Sequence, residues 1–301
     1  MRSFYKQIYR YTHRRSFRHS ETLWPWMTIT RADSGEINTV SYKHQSIPVC
    51  PLSELADRYQ GDVLLTASGP SVRSIDFERL PEMPAMGVNG SWDLNSKVAF
   101  RFYIVVDMSF FKNKPDIIEE IISCPDIYFF TTVHGIMKMV ETLGVAAIRC
   151  ILVPIEDISS QVFRAARPLE TLHDSSSLPG VSVSKDVKHI AFVTDIRLGI
   201  ADAGTVVYWA LQILNFCGFK RIFILGLDLN NFHQPRFYEN QQNRLPTTLD
   251  DCLESKILPS LTLASEVLKT IHTEVINFSP NSAVPDTVFN KESFNEFFSE
   301  K

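Results

Sequence analysis

Apolar residues along this chain fall into short unbroken runs and helical repeats, most clearly in the stretch Gly204–Asn240. From Gly204 to Gly218 the residues are apolar almost all round, which predicts a helix packed on both sides, with Gly218 as its C-cap. Lys220 and Arg221 lead into Ile222–Leu225, a run without polar alternation. That pattern predicts a parallel strand buried on both faces. The strand ends in Gly226 and Asp228, and a polar loop with Arg236, Tyr238 and Asn240 follows. Ligands of open α/β sheets bind beyond the carboxyl ends of strands.

The same reading predicts strands at Val63–Ala67, Met86–Ser91 (with a polar tip), Phe102–Val106, Ile127–Thr131, Ile151–Ile155 and, as the last, Glu274–Phe278. Helices are predicted at Pro115–Ile122, Ile136–Leu143 and Thr248–Thr270, the last interrupted near Pro259, with a helical turn at Ile75–Leu80 and a short amphipathic helix at Glu292–Glu300. Alternating strands and helices predict an α/β fold with a mainly parallel sheet and helices on both faces. Ser68, Asn89, Asp107, Asp228 and Ser279 then lie along one edge. The loop-like Ser175–Gly180 places a mobile lid insertion within Glu156–Asp195. Two regions are expected: an N-terminal segment and arm over residues 1–58, without clear periodicity, and the α/β domain over 59–301.

Charge changes the picture at the start of the chain. Arg2, Lys6, Arg10, Arg14, Arg15 and Arg18 alternate with aromatic residues, and the first acid is Glu21. Without an apolar core this segment is not a secretory signal. It reads either as a solvated, disordered tail or as a segment lying on an anionic membrane surface, for which Trp24 and Trp26 suit the interface. The chain as a whole carries a net charge of −4, which disfavours a general nucleic-acid binder. Five scattered cysteines read as reduced core thiols of a cytosolic protein, and no apolar run suits a transmembrane helix.

Chemistry must come from the strand ends. Ser68-Gly69-Pro70-Ser71 is not a dinucleotide fingerprint, and alone it reads as a plain turn. No phosphate loop, nucleophile elbow or metal-ligand spacing occurs. Asp107, Asp228, His233 and Lys256 are candidate bases. Asp107 leads because a strand positions it, whereas Asp228 reads equally as a structural cap. Arg236 and Tyr238, two apart in an extended loop, would point the same way and reach one phosphate.

Thr66–Ser71, followed by Ile75-Asp76 and Arg79-Leu80-Pro81, resembles the opening of bacterial sialyltransferases that use CMP-activated sugars. Val88–Ser91, Gly226–Leu229, Arg236–Asn240, Leu258-Pro259 and Asn277–Pro280 resemble, in order and spacing, the lipopolysaccharide core-biosynthesis proteins of the WaaZ type, regarded as Kdo transferases. The resemblance covers about residues 60–298. It implies a Rossmann-like domain with a lid, binding a CMP-sugar without a metal or other cofactor. Ser68, Gly69 and Asn89 would line the CMP pocket, Gly204 would sit near the donor, and Ser279, Pro280 and Asn281 near the cytidine. Asp228 would stand in the same donor site, with Arg236 and Tyr238 on the phosphate. Asp107 stands where the sialyltransferases have asparagine, and their lid histidine has no counterpart; Lys256 lies nearest.

The expected function is inverting transfer of Kdo from CMP-Kdo to a lipid-linked core oligosaccharide, at the cytoplasmic face of the inner membrane. The alternatives are a CMP-sialic-acid-dependent transferase and a non-catalytic glycolipid-binding assembly protein.

Overall fold

The computed structural model describes residues 2–172, 178–187, 189–230, 232–242, 247 and 249–299. The chain opens with helix α1 (Arg2–Thr12) and strands β1 (Met27–Arg31), β2 (Ile37–Tyr42) and β3 (Gln45–Ile47). Then come β4 (Asp62–Thr66), β5 (Ala85–Val88), β6 (Phe100–Ile104), α2 (Met108–Asn113), α3 (Pro115–Ser123), β7 (Tyr128–Thr131), α4 (Val133–Leu143) and β8 (Ile151–Pro154). The remainder holds β9 (Val181–Val183), β10 (Ala191–Val193), α5 (Val206–Phe216), β11 (Arg221–Leu225), α6 (Leu249–Cys252), α7 (Leu258–Thr270), β12 (Glu274–Asn277), β13 (Asn290–Lys291) and α8 (Phe294–Phe297). Packing divides the chain into two units, Met1–Ala56 with Val105–Ala201, and Asp57–Ile104 with Asp202–Lys301.

In the first unit the basic start of the chain is a packed helix, which overturns the reading of it as a disordered tail. The reason is aromatic. Tyr5 meets the rings of Trp24 and Trp26 edge-on at 5.9 and 5.2 Å, and Tyr9 is only 1% exposed. Strands β1, β2 and β3 form an antiparallel sheet. Their faces are only partly buried, which explains why residues 27–47 show no clear period. Arg31 bridges both carboxylate oxygens of buried Glu156, at 2.5 and 2.8 Å. Strands β7 and β8 pair in parallel, with Tyr128 opposite Ile151. An antiparallel pair, β9 with β10, lies within the region expected to hold the lid, and its three-residue strands are too short to show a period. Residues 173–177 of that expected loop lie outside the described residues.

The second unit carries six strands in the order β13-β12-β11-β4-β5-β6, all parallel. Strand β11 is central there: Ile222 stands opposite Val275 of β12 and Val63 of β4. Its apolar run is buried, as a strand covered on both faces must be. Helix α5 is buried along nearly its whole circumference. Gly218 follows it at φ +102°, closing the helix as a left-handed C-terminal glycine. Aromatic packing closes the core: Phe223 stacks on Phe278 at 5.4 Å, and Phe278 meets Phe294 at 5.3 Å.

The fold is thus α/β with a mainly parallel, Rossmann-like sheet. Three boundaries differ from expectation. The helical interruption is a π-helical turn at Leu253–Ile257 that runs directly into α7, whose second residue, Pro259, has no N–H to bond back into that turn. Strand β12 is followed by the two-residue β13, so it is not the last. The C-terminal helix is a single turn. All five cysteines are free thiols, three of them buried. No described helix is long and apolar enough to cross a membrane.

Candidate active site

Because the strands of the second unit are parallel, the segments after β4, β5, β11 and β12 emerge along one edge. Ser68, Asn89, Asp228 and Ser279 occupy those four positions. Two of them, Asp228 and Ser279, are joined through Ser71 by hydrogen bonds. Asp228, 6% exposed, accepts from the Ser71 amide at 2.9 Å and the Ser71 hydroxyl at 2.5 Å. The Ser71 and Ser279 hydroxyls are 3.0 Å apart. Asp228 is therefore a clasp between β11 and the turn after β4. Gly69 makes the clasp possible: a Cβ there would stand 2.4 Å from Asp228 Oδ2 and 2.6 Å from the Gly226 carbonyl.

Asn89 begins the turn after β5 in the left-handed region, at φ +48°. Its backbone carbonyl accepts from the Tyr103 hydroxyl at 2.6 Å. Ser91 Oγ lies 3.2 Å from that hydroxyl and itself accepts from the Val88 amide at 2.8 Å. Tyr103 is fully buried, which pushes its phenol pKa up and keeps the hydroxyl protonated as a donor. The backbone is thus fixed from both sides. Asn89 Oδ1 is buried and has no hydrogen-bond partner among the described residues. A buried unpaired acceptor costs about 1–3 kcal/mol.

The loop after β11 is pinned to the same edge. The Phe237 amide donates to the Ser68 carbonyl at 3.2 Å. Arg73 donates to the carbonyls of Arg236 at 2.9 Å, Glu239 at 3.0 Å and Phe237 at 3.3 Å. Nothing in the sequence around Arg73 signals this role, which depends on a loop more than 160 residues away. The loop itself turns, since the Glu239 amide donates to the Arg236 carbonyl at 2.9 Å, so the alternation expected of an extended segment does not apply. Arg236 binds the Glu239 carboxylate at 2.7 Å, and that side chain is 1% exposed. The Tyr238 ring lies against Gly90, where a Cβ would approach it to 2.1 Å.

After β12, the Ser279 amide donates to Asn277 Oδ1 at 3.2 Å, and the Ser282 hydroxyl donates to the Leu227 carbonyl at 2.5 Å. Asn230 Nδ2 donates to the Asn281 carbonyl. Pro280 and Asn281 are exposed at the tip of this turn.

Gly204 belongs to a different cluster of the same unit. At φ +77°, its amide donates to Asp202 Oδ2 at 3.1 Å. That carboxylate also receives Lys256 Nζ at 2.6 Å and the Trp209 indole N–H at 3.0 Å. Asp202 gave no signal in the sequence. Asp107 lies in the first unit, where its two oxygens accept from the Ser109 amide and hydroxyl, each at 2.7 Å, capping α2. Among the described residues, no group of three or more His, Cys, Asp or Glu side chains is arranged to hold a metal.

Residues 168–290 match the family described as 3-deoxy-D-manno-octulosonic acid transferase WaaZ. The chain is 25% identical over 252 residues to a Salmonella typhimurium protein named "Probable 3-deoxy-manno-octulosonic acid transferase", covering 77% of this chain and 87% of that protein. An Escherichia coli protein of the same name is 24% identical over 249 residues, covering 76% of this chain and 82% of that one. The sialyltransferase CstII from Campylobacter jejuni, solved with cytidine-5'-monophosphate, aligns over 76% of this chain and 84% of its own with a TM-score of 0.32 and 11% identity. The chain is thus similar to the WaaZ-type Kdo transferases over three quarters of its length, and the stretch that matches the family itself contains Gly204, Asp228, Arg236, Tyr238 and the Ser279–Asn281 turn.

Proposed function

We propose that the chain is a glycosyltransferase of lipopolysaccharide biosynthesis that moves Kdo from CMP-Kdo to a lipid-linked core oligosaccharide. The reading takes the transfer as inverting and metal-independent, at the cytoplasmic face of the inner membrane. Its strongest support is the buried, unpartnered amide oxygen of Asn89 at the carboxyl edge of a parallel sheet. An acceptor held in that way suits a ligand carrying hydroxyl or amino donors, as the ribose and cytosine of CMP do. The names of the similar proteins supply the sugar.

In the proposed reaction an acceptor hydroxyl attacks the anomeric carbon of Kdo while the bond to the phosphate oxygen breaks. CMP leaves with that electron pair, and a base takes the hydroxyl proton. Arg236 supplies positive charge toward the departing phosphate, and Tyr238 a hydroxyl donor. Ser68, Gly69, Ser279, Pro280 and Asn281 shape the nucleotide side, with Asp228 holding the turn that carries Gly69. Gly204 lies on the sugar side. Asp107 is the proposed base.

Thermal unfolding with CMP tests the reading. A hundredfold excess of CMP over its Kd should stabilise the protein by about 2.7 kcal/mol, with EDTA leaving the shift in place. Melting that ignores CMP, or a shift that EDTA removes, would overturn the donor assignment or its metal independence.

A further inference from the structure

Helix α1 has two aromatic sides. Its inward side, with Tyr5 and Tyr9, packs on Trp24 and Trp26. Its outward side carries Phe4 and Tyr11, 62% and 92% exposed, the highest values among the exposed large hydrophobic residues. Seven residues apart, they lie on one line along the helix, about 10 Å from each other. Phe4 meets the Tyr5 ring edge-on at 5.8 Å, yet both Phe4 and Tyr11 stay mostly exposed. Exposed Gln7 and Arg10 share that side, and Arg14, Arg15 and Arg18 are exposed in the segment that follows the helix.

The charge around these rings is one-sided. Residues 1–20 contain six Lys and Arg and no acid, in a chain whose net charge is −4. Arg10 pairs with Glu21 at 2.6 Å, and no ion pair of Arg14, Arg15 or Arg18 occurs among the described residues. Lys43 stands over the rings of Trp26 and Tyr42 at 5.2 and 5.1 Å, adding a cation beside the Trp26 on which α1 packs.

We infer that the outward face of α1 docks the first unit on an anionic lipid surface, with Phe4 and Tyr11 at the headgroup level and the arginines against lipid phosphates. Interfacial helices combine these two features. A polyphosphate such as nucleic acid would draw the same cations but leave Phe4 without a role. The inference does not depend on the donor assignment, because it uses residues of the first unit only.

The test is co-sedimentation of the full chain with phosphatidylcholine vesicles, with or without about a third phosphatidylglycerol. Binding is expected only to the anionic vesicles and should weaken in high salt. Arg14→Gln with Arg15→Gln should lower partitioning about thirtyfold, at about fivefold per cation. Phe4→Ser with Tyr11→Ser should lower it about tenfold. Melting and the CMP response, measured in parallel, should stay at parental values, so that a failed docking surface and a failed donor site are told apart. Absence of binding, equal binding to both vesicles, or variants that bind like the parent would overturn the inference. So would duplex DNA, at equal phosphate, stripping the protein from the vesicles. Where a variant fails to fold, the lipid and salt dependence of the parent decides.

Discussion

Replacing Asn89 by glycine should move stability and ligand response in opposite directions. The residue is held at φ +48° with a buried side-chain acceptor that nothing among the described residues satisfies. Removing that acceptor recovers about 1–3 kcal/mol. Relief of the left-handed conformation adds up to about 1 kcal/mol for an asparagine. Against this stand the greater backbone entropy that glycine loses on folding, about 0.5–1 kcal/mol, and the small void left behind. The net is a gain of about 1–2 kcal/mol in the unliganded protein. At about 2 °C per kcal/mol for a chain of this size, the midpoint should rise by about 2–4 °C. With CMP the sign reverses. A lost neutral hydrogen bond weakens binding by up to about tenfold. At a CMP concentration a hundredfold above the parental Kd, stabilisation should then fall from about 2.7 to about 1.4 kcal/mol. Differential scanning fluorimetry with a CMP titration reads both quantities. A variant that melts below the parent, or responds to CMP as the parent does, would refute the argument that this acceptor is kept unpaired for a ligand.

Arg236→Ala should cost turnover about a hundredfold or more through loss of a charge facing the phosphate. It should also cost stability by leaving buried Glu239 short of its cation; Arg236→Ala with Glu239→Gln should recover the stability but not the turnover, as steady-state kinetics and melting will show. Asp107→Asn keeps an oxygen to cap α2, so melting should barely change, while loss of a general base should lower turnover about a hundredfold or more; near-parental turnover would pass the role to His233. His134 is half-buried with Nε2 3.0 Å from the His19 carbonyl, and its partial burial lowers its pKa below the usual imidazole value. Folding thus disfavours its protonated form. Its contribution is whole above about pH 6.5 and is lost as pH falls below that value. Denaturant midpoints of the parent should drop over that range by more than those of His134→Gln.

The sheet was legible because burial on both faces leaves a plain mark: Ile222–Leu225 has no polar residue to break its run, and β11 lies between two parallel strands. The polar strand ends Ser68, Asn89, Asp228 and Ser279 were legible for the same reason, since a parallel sheet brings such ends to one edge. Partners were not. Asp228 holds Ser71, and Arg73 holds the Arg236–Glu239 turn, through contacts spanning more than 150 residues that no local pattern records. The turn at Arg236 defeated the expectation of an extended loop, because one amide-to-carbonyl bond over three residues reverses the chain. The N-terminal helix was hidden by its charge: cations dominate the composition of residues 1–20, while a few rings, Tyr5 and Tyr9 on Trp24 and Trp26, decide the packing.

Mass spectrometry of lipopolysaccharide from cells with and without this protein tests the central claim most directly. The account predicts a core oligosaccharide heavier by one Kdo residue when the protein is present, and no such gain with Arg236→Ala. An unchanged core, or a gain of one sialic acid in place of Kdo, would contradict it.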